Sequence, residues 1–188
     1  MVLINTDPWL TYIDHLQRKN ADDLAFYPLT TLAKARDEGH VIEYTENGQP
    51  AGYLWFGAVR AGYDCIIYQA VIDYDLRRRH HGFMMVGQLI DIARAGGCTG
   101  VRLKCASSAL SNLFWKDAGF YVTRVSAGGI KRGRDINHYR TDVAATLLVV
   151  DSVEPSTKAI DLAPYNAIKR QGIEMPSRFS RTHYGRRS

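Results

Sequence analysis

The 188-residue sequence has no stretch approaching the ~18 uninterrupted apolar residues that a membrane-spanning helix requires. Its first residues, MVLINTDPW, have neither a basic start nor an apolar run, so no signal peptide is expected. Cysteine is scarce. Cys65, Cys98 and Cys105 are odd in number and lack metal-ligand spacing, so neither a disulfide framework nor a metal site is expected. Internal repeats and low-complexity tracts are missing, and three of the six prolines fall after Val150. A coiled coil, a collagen-like repeat and a wholly disordered chain are excluded by ordinary contents of hydrophobic (46%) and charged (23%) residues. What is left is one globular domain, expected over residues 1–150 and in the cytoplasm, with an irregular extension over residues 151–188.

The body of the chain also lacks a net charge. Residues 165–188 hold Lys169, Arg170, Arg178, Arg181, Arg186 and Arg187 against the single acid Glu174. Removing six bases and one acid from totals of 24 and 19 leaves 18 of each in the rest. The formal charge of +5 is therefore a property of a C-terminal arm. In SRFSRTHYGRRS, arginines interleave with Phe179, His183 and Tyr184, so nucleic acid is one candidate partner and a solvated arm is the other reading.

Asp7-Pro8 is a helix start, and Trp9, Tyr12, Ile13 and Leu16 at i, i+3, i+4, i+7 predict one apolar face. A second helix is expected over 30–38, then a strand 40–44, a turn at Glu46-Asn47-Gly48 and a strand 51–59. Ala51–Val59 and Cys65–Ile72 are apolar on both faces and belong in the middle of a sheet. A helix 82–94 with Met85, Leu89 and Ile92 in one stripe precedes a strand around Val101–Cys105. Ser107 or Ser108 can cap a further helix packing through Leu110, Leu113 and Phe114, before two last strands at 120–126 and 136–142. The order α-α-β-β-β-α-β-α-β-β predicts an α/β fold, a mixed and mostly antiparallel central sheet flanked by helices.

Chemistry concentrates where strand Cys65–Ile72 passes through Asp73–His81 into the helix at Gly82. A basic loop feeding a helix start combines free backbone amides, the positive end of the dipole, and Arg77, Arg78 and Arg79. Those features suit phosphate, although a solvated arginine run would look the same.

The segment IDYDLRRRHHGFMMVGQLI resembles the coenzyme A loop of the GNAT acyltransferase superfamily, (Gln/Arg)-x-x-Gly-x-(Gly/Ala) after a strand ending in Val or Ile. SALSNLFWKDAGFYVTRV is similar to that family's helix and strand around Gly-Phe, here Gly119-Phe120. LAFYP with LTTLAKARDEG resembles small stand-alone bacterial and phage members. The resemblance implies an acetyl-CoA-dependent N-acetyltransferase without a metal. Its coenzyme would meet Val71, Ile72, Arg77, Arg78, Arg79, His80, His81, Gly82, Ser108 and Trp115. Three positions depart from the pattern. His80 replaces the first glycine, Ser108 the helix asparagine, and Trp115 the tyrosine that serves as general acid. Indole N–H cannot protonate a thiolate usefully.

Ile66 stands about where some members carry a catalytic glutamate, so the proton acceptor is sought among Tyr68, Asp73 and Tyr74, with Glu43 or a water chain as alternatives. Positioning alone, with the thioester carbonyl polarised by a strand amide near Val71 or Ile72, needs no special side chain. In such folds the connection between the last two strands lies near the acceptor. Lys131, Arg132 and Arg134 there imply an anionic acceptor, and a merely soluble hairpin is the alternative. The partners expected are a coenzyme A thioester and an unidentified amine, with a homodimer left open. The competing class is a catalytically silent fold of this type, binding nucleic acid or protein through its basic arm.

Overall fold

The computed structural model describes residues 7–129 and 133–143. The C-terminal arm, Lys131 and Arg132 lie outside the described residues.

Helix α1 (Pro8–Lys19) starts as its sequence dictates. The Asp7 carboxylate accepts hydrogen bonds from the Trp9 and Leu10 amides at 2.8 and 3.4 Å, and Pro8 occupies the first turn. Helix α2 spans Leu29–Asp37. Strands β1 (Val41–Glu46) and β2 (Gln49–Phe56) form a hairpin whose two-residue turn, Asn47-Gly48, has φ of 52° and 76°. Positive φ at both positions is the turn whose twist matches a tight antiparallel pair. Next come β3 (Asp64–Ile72), a one-turn 3-10 segment Tyr74–Leu76, α3 (His81–Ala95) and β4 (Gly100–Ala106). Helix α4 (Ser111–Asp117), β5 (Tyr121–Ala127) and β6 (Asp135–Asp142) complete the order.

The six strands lie in the order β1-β2-β3-β4-β6-β5, antiparallel everywhere except between β3 and β4. This is the expected α/β sheet. Its two faces bury separate apolar clusters. Leu10, Ile13, Leu16 and Leu32 of α1 and α2 pack on Tyr53, Trp55 and Val71. On the other face Met85, Val86, Leu89 and Ile90 of α3 pack on Leu54, Phe56, Cys65, Ile67 and Leu103. All three cysteines are buried free thiols. No helix among the described residues is long and apolar enough to cross a membrane.

Three helical faces are rotated from the sequence expectation. In α1 the buried set is Leu10, Ile13, Leu16 and Gln17, with Trp9 and Tyr12 at the margin. Gln17 is tolerated inside because its amide donates to the Tyr27 carbonyl at 3.2 Å and its carbonyl accepts from the Tyr27 amide at 3.0 Å. In α3 the stripe is Met85, Val86, Leu89, Ile90 and Ala93, which leaves Ile92 exposed. In α4 Asn112 and Trp115 point inward, while Leu110 and Leu113 are exposed. No serine caps α4. Instead the Asn112 amide donates to the carbonyls of Ala106, Ser107 and Ala109 at 2.8, 3.1 and 2.6 Å. Its carbonyl accepts from Tyr139 and Asn137, both at 2.9 Å, so one side chain joins the end of β4 to α4 and β6.

Candidate functional site

The parallel pairing of β3 with β4 covers only four residues, from Asp64↔Gly100 to Ile67↔Leu103. Beyond it β3 runs on through Tyr68–Ile72 and β4 through Lys104–Ala106 without pairing each other. The sheet therefore opens into a gap at its centre. On its other side β3 pairs with β2 without interruption from Gln69 to Ile72, after a bulge at Tyr68, and the Asp73 amide donates to the Ala51 carbonyl at 2.9 Å. Backbone groups alternate in direction along such a pair, so those of Val71 and Asp73 serve β2 and those of Ala70 and Ile72 face the gap. Of the two amides the sequence suggested, the one available to a ligand is that of Ile72. The Val71 side chain is buried on the α1 side.

The basic loop closes one end of this gap. Arg77 Nε donates to the Ile72 carbonyl at 3.0 Å and Nη2 to Asn20 Oδ1 at 2.5 Å. Arg78 and His80 both have left-handed backbone, with φ of 65° and 66°. The His80 ring lies toward Phe83, with centroids 6.1 Å apart, which is how a side chain is accommodated where the family pattern has glycine. The first bond inside α3 runs from the Met84 amide to the His80 carbonyl, so the amides of His81, Gly82 and Phe83 precede the helical ladder. A Cβ at Gly82 would meet the Phe114 ring at 3.0 Å, so a small residue there lets α3 and α4 approach. His81 turns inward. Its Nδ1 lies 3.0 Å from the Tyr44 hydroxyl and its Nε2 3.0 Å from Glu46, whose carboxylate also lies 3.7 Å from Arg79.

The three candidate proton acceptors each have a different set of partners. The Tyr68 ring lies over Trp55 of β2, with centroids 4.7 Å apart, leaning away from β4. There it lines a shallow cavity of about 250 Å³ with Thr31, Lys34, Glu38 and His40, on the α2 side. Tyr74 is exposed and packs under the Arg77 guanidinium. Asp73 is bound to α1, accepting from Lys19 Nζ at 3.1 Å and from the Tyr12 hydroxyl at 3.4 Å. Burial pushes its carboxyl up, but Lys19 together with the backbone amides of Tyr74 and Asp75 outweighs that and leaves it below the ordinary value. A carboxylate so paired is a weak base. Conversely, burial and the Asp73 charge push the Tyr12 hydroxyl up to about 12. Glu43 is taken by Arg36. Ser108 is exposed in the turn after β4, and Trp115 is buried in the core against Phe114 and Phe120.

Two features were not anticipated from the sequence. Gln69 of β3 is buried, accepts from the Tyr53 hydroxyl at 2.9 Å, and donates to Gln17 Oε1 at 3.1 Å and the Ala25 carbonyl at 2.5 Å. It fixes the segment between α1 and α2 along the gap. From the far side, Arg134 Nη2 donates to the Asp22 carbonyl at 2.7 Å, joining that segment to the β5–β6 connection. The only sequence signal for Gln69 is an amide in an otherwise apolar strand.

A family model described as the acetyltransferase (GNAT) family matches residues 4–120. A search of curated proteins finds no match. Among solved structures the chain is similar to Ard1 of Thermoplasma volcanium, at 14% identity and a TM-score of 0.62, covering 71% of this chain and 90% of that one. It is similar to the ribosomal-protein-S18-alanine N-acetyltransferase of Escherichia coli (18%, TM-score 0.58, 71% and 87% covered). It also resembles YncA of Salmonella typhimurium, solved with acetyl-CoA (18%, TM-score 0.58, 71% and 88% covered).

Proposed function

The chain belongs to the acetyltransferase (GNAT) family, and from that premise we propose that it moves an acetyl group from acetyl-CoA directly to a primary amine. One observation carries the reading. The central gap between β3 and β4 ends at a basic loop on the first turn of α3. In this reading Arg77, Arg78, Arg79 and the first-turn amides of His81–Phe83 hold the coenzyme's phosphates. The Ile72 and Ala70 amides bond the extended part of the thioester and polarise its carbonyl. The amine nitrogen attacks the carbonyl carbon, a C–N bond forms, the C–S bond breaks, and the amine's proton leaves to solvent or the departing sulfur. Asp73 is tied to Lys19 and Tyr68 leans toward β2, so catalysis rests on placement of the two reactants rather than on a dedicated base. Arg134 and the segment it contacts border the acceptor's side. The YncA structure, solved with acetyl-CoA, supports the choice of donor. The comparisons lend no support to the catalytically silent alternative.

Calorimetric titration with acetyl-CoA is expected to saturate, with coenzyme A competing. Arg77→Ala and Arg79→Ala are each expected to weaken binding about 10-fold or more, the worth of one charge-assisted contact. Thiol release across a panel of amines, peptides and oligonucleotides then identifies the acceptor. No binding at millimolar acetyl-CoA overturns the reading.

A further inference from the structure

The half of the sheet formed by β4, β6 and β5 has α4 on one face, while on its other face the β4 and β5 side chains Arg102, Lys104, Tyr121 and Arg124 are exposed and those of β6 half-buried. Register shows which side chains share that bare face, because directly opposed residues point the same way. Lys104, His138 and Arg124 form one row across the three strands, and Arg102, Arg140 and Tyr121 form the next. Neighbouring strands are about 4.8 Å apart and rows about 6.8 Å, so the cations lie within a patch roughly 10 Å across. The acids on this face, Asp64 and Asp142, are both engaged by Arg140, and Asp64 also feels the charge of Arg102. No carboxylate among the described residues forms an ion pair with Arg102, Lys104 or Arg124. Burial and the surrounding charges of Arg124, Lys104 and Arg102 hold the His138 imidazole below its ordinary value, and its Nε2 lies 2.8 Å from the Ser126 hydroxyl.

We propose that this bare β4–β6–β5 face is a docking surface for a single-stranded nucleic acid, whose phosphodiester groups are met by Arg102, Lys104 and Arg124. Charge complementarity argues for an anionic partner, and two guanidinium forks suit phosphate oxygens. The exposed Tyr121 ring at the end of the second row offers a flat surface for a base. An acidic protein would need buried apolar anchors at the centre of its footprint, and the centre here is His138 flanked by cations. The inference is independent of acetyl transfer, since it concerns binding alone.

The test uses the full chain and a fluorescein-labelled 15-nucleotide single strand, with anisotropy measured against salt. The triple variant Arg102→Ala/Lys104→Ala/Arg124→Ala is expected to bind at least 10-fold more weakly at 0.1 M salt. Its log–log salt slope should be smaller by about 2, as three lost phosphate contacts require. The basic residues 165–188 are present in both proteins, so the difference reads the sheet face. Equal affinity and slope overturn the proposal, and so does equal competition by polyglutamate of the same charge. On the unaltered protein, the NMR titration of His138 is expected to move to higher pH when the oligonucleotide is added. An unmoved titration overturns the proposal without any variant.

Discussion

His80 is held in the left-handed region at φ 66°, where a Cβ crowds the backbone at about 1–2 kcal/mol. The contact toward Phe83 offsets part of that cost. His80→Gly removes the crowding but gives the unfolded chain more freedom, so the expected net gain in unfolding free energy is about 0.5–1 kcal/mol. Urea denaturation measures it, and a loss would show that the Phe83 contact outweighs the backbone strain. At this scale the sequence was legible where one residue has one job. Asp7 caps α1, and Asn47-Gly48 makes the hairpin turn. Asn112 was illegible because its value lies in joining three carbonyls of its own turn to two donors from the distant strand β6.

Between elements, the end of β3 is moored to α1 by Lys19–Asp73, Tyr12–Asp73 and Arg77–Asn20. The Asp73 carboxyl lies below its reference value of 3.8 in the folded protein, because burial, which raises it, is outweighed by Lys19 and the amides of Tyr74 and Asp75. A depressed folded value means this stability is present above the reference value and is lost as pH falls through the folded one. Lys19→Met is therefore expected to cost about 0.5–1 kcal/mol at pH 6, discounted for partial exposure of the pair, and less at pH 3. Urea midpoints at the two pH values check it, and an equal cost at both would place the effect in packing. Among the described residues the order and type of the strands and α-helices were readable, because hydrophobic period and turn residues are local, while the one-turn 3-10 segment Tyr74–Leu76 was read as loop. The inward faces of α1, α3 and α4 were not, since a buried Gln17 or Asn112 counts as polar until its partners are known.

For the domain as a whole, two apolar clusters share one sheet, with β2 and β3 contributing to both. Ile13→Val on one face and Ile90→Val on the other are each expected to cost about 0.5–1.5 kcal/mol. Their effects should add within about 0.5 kcal/mol in one transition followed by circular dichroism, and two transitions would mean that the faces melt separately. The basic turn from β3 into α3 was legible from its arginines and its place between an apolar strand and a helix. The gap beside it was not, because the length over which two distant strands pair is written in neither of them. That short pairing changes what kind of object the sheet is. Six strands in a row ordinarily present two edges, at β1 and β5, but here Tyr68–Ile72 and Lys104–Ala106 add two more in the middle. Backbone groups at those inner edges must be hydrated whenever nothing else bonds them. A guest that is itself extended and carries amides can take the place of that water strand by strand, as a seventh member of the sheet, whatever its side chains are.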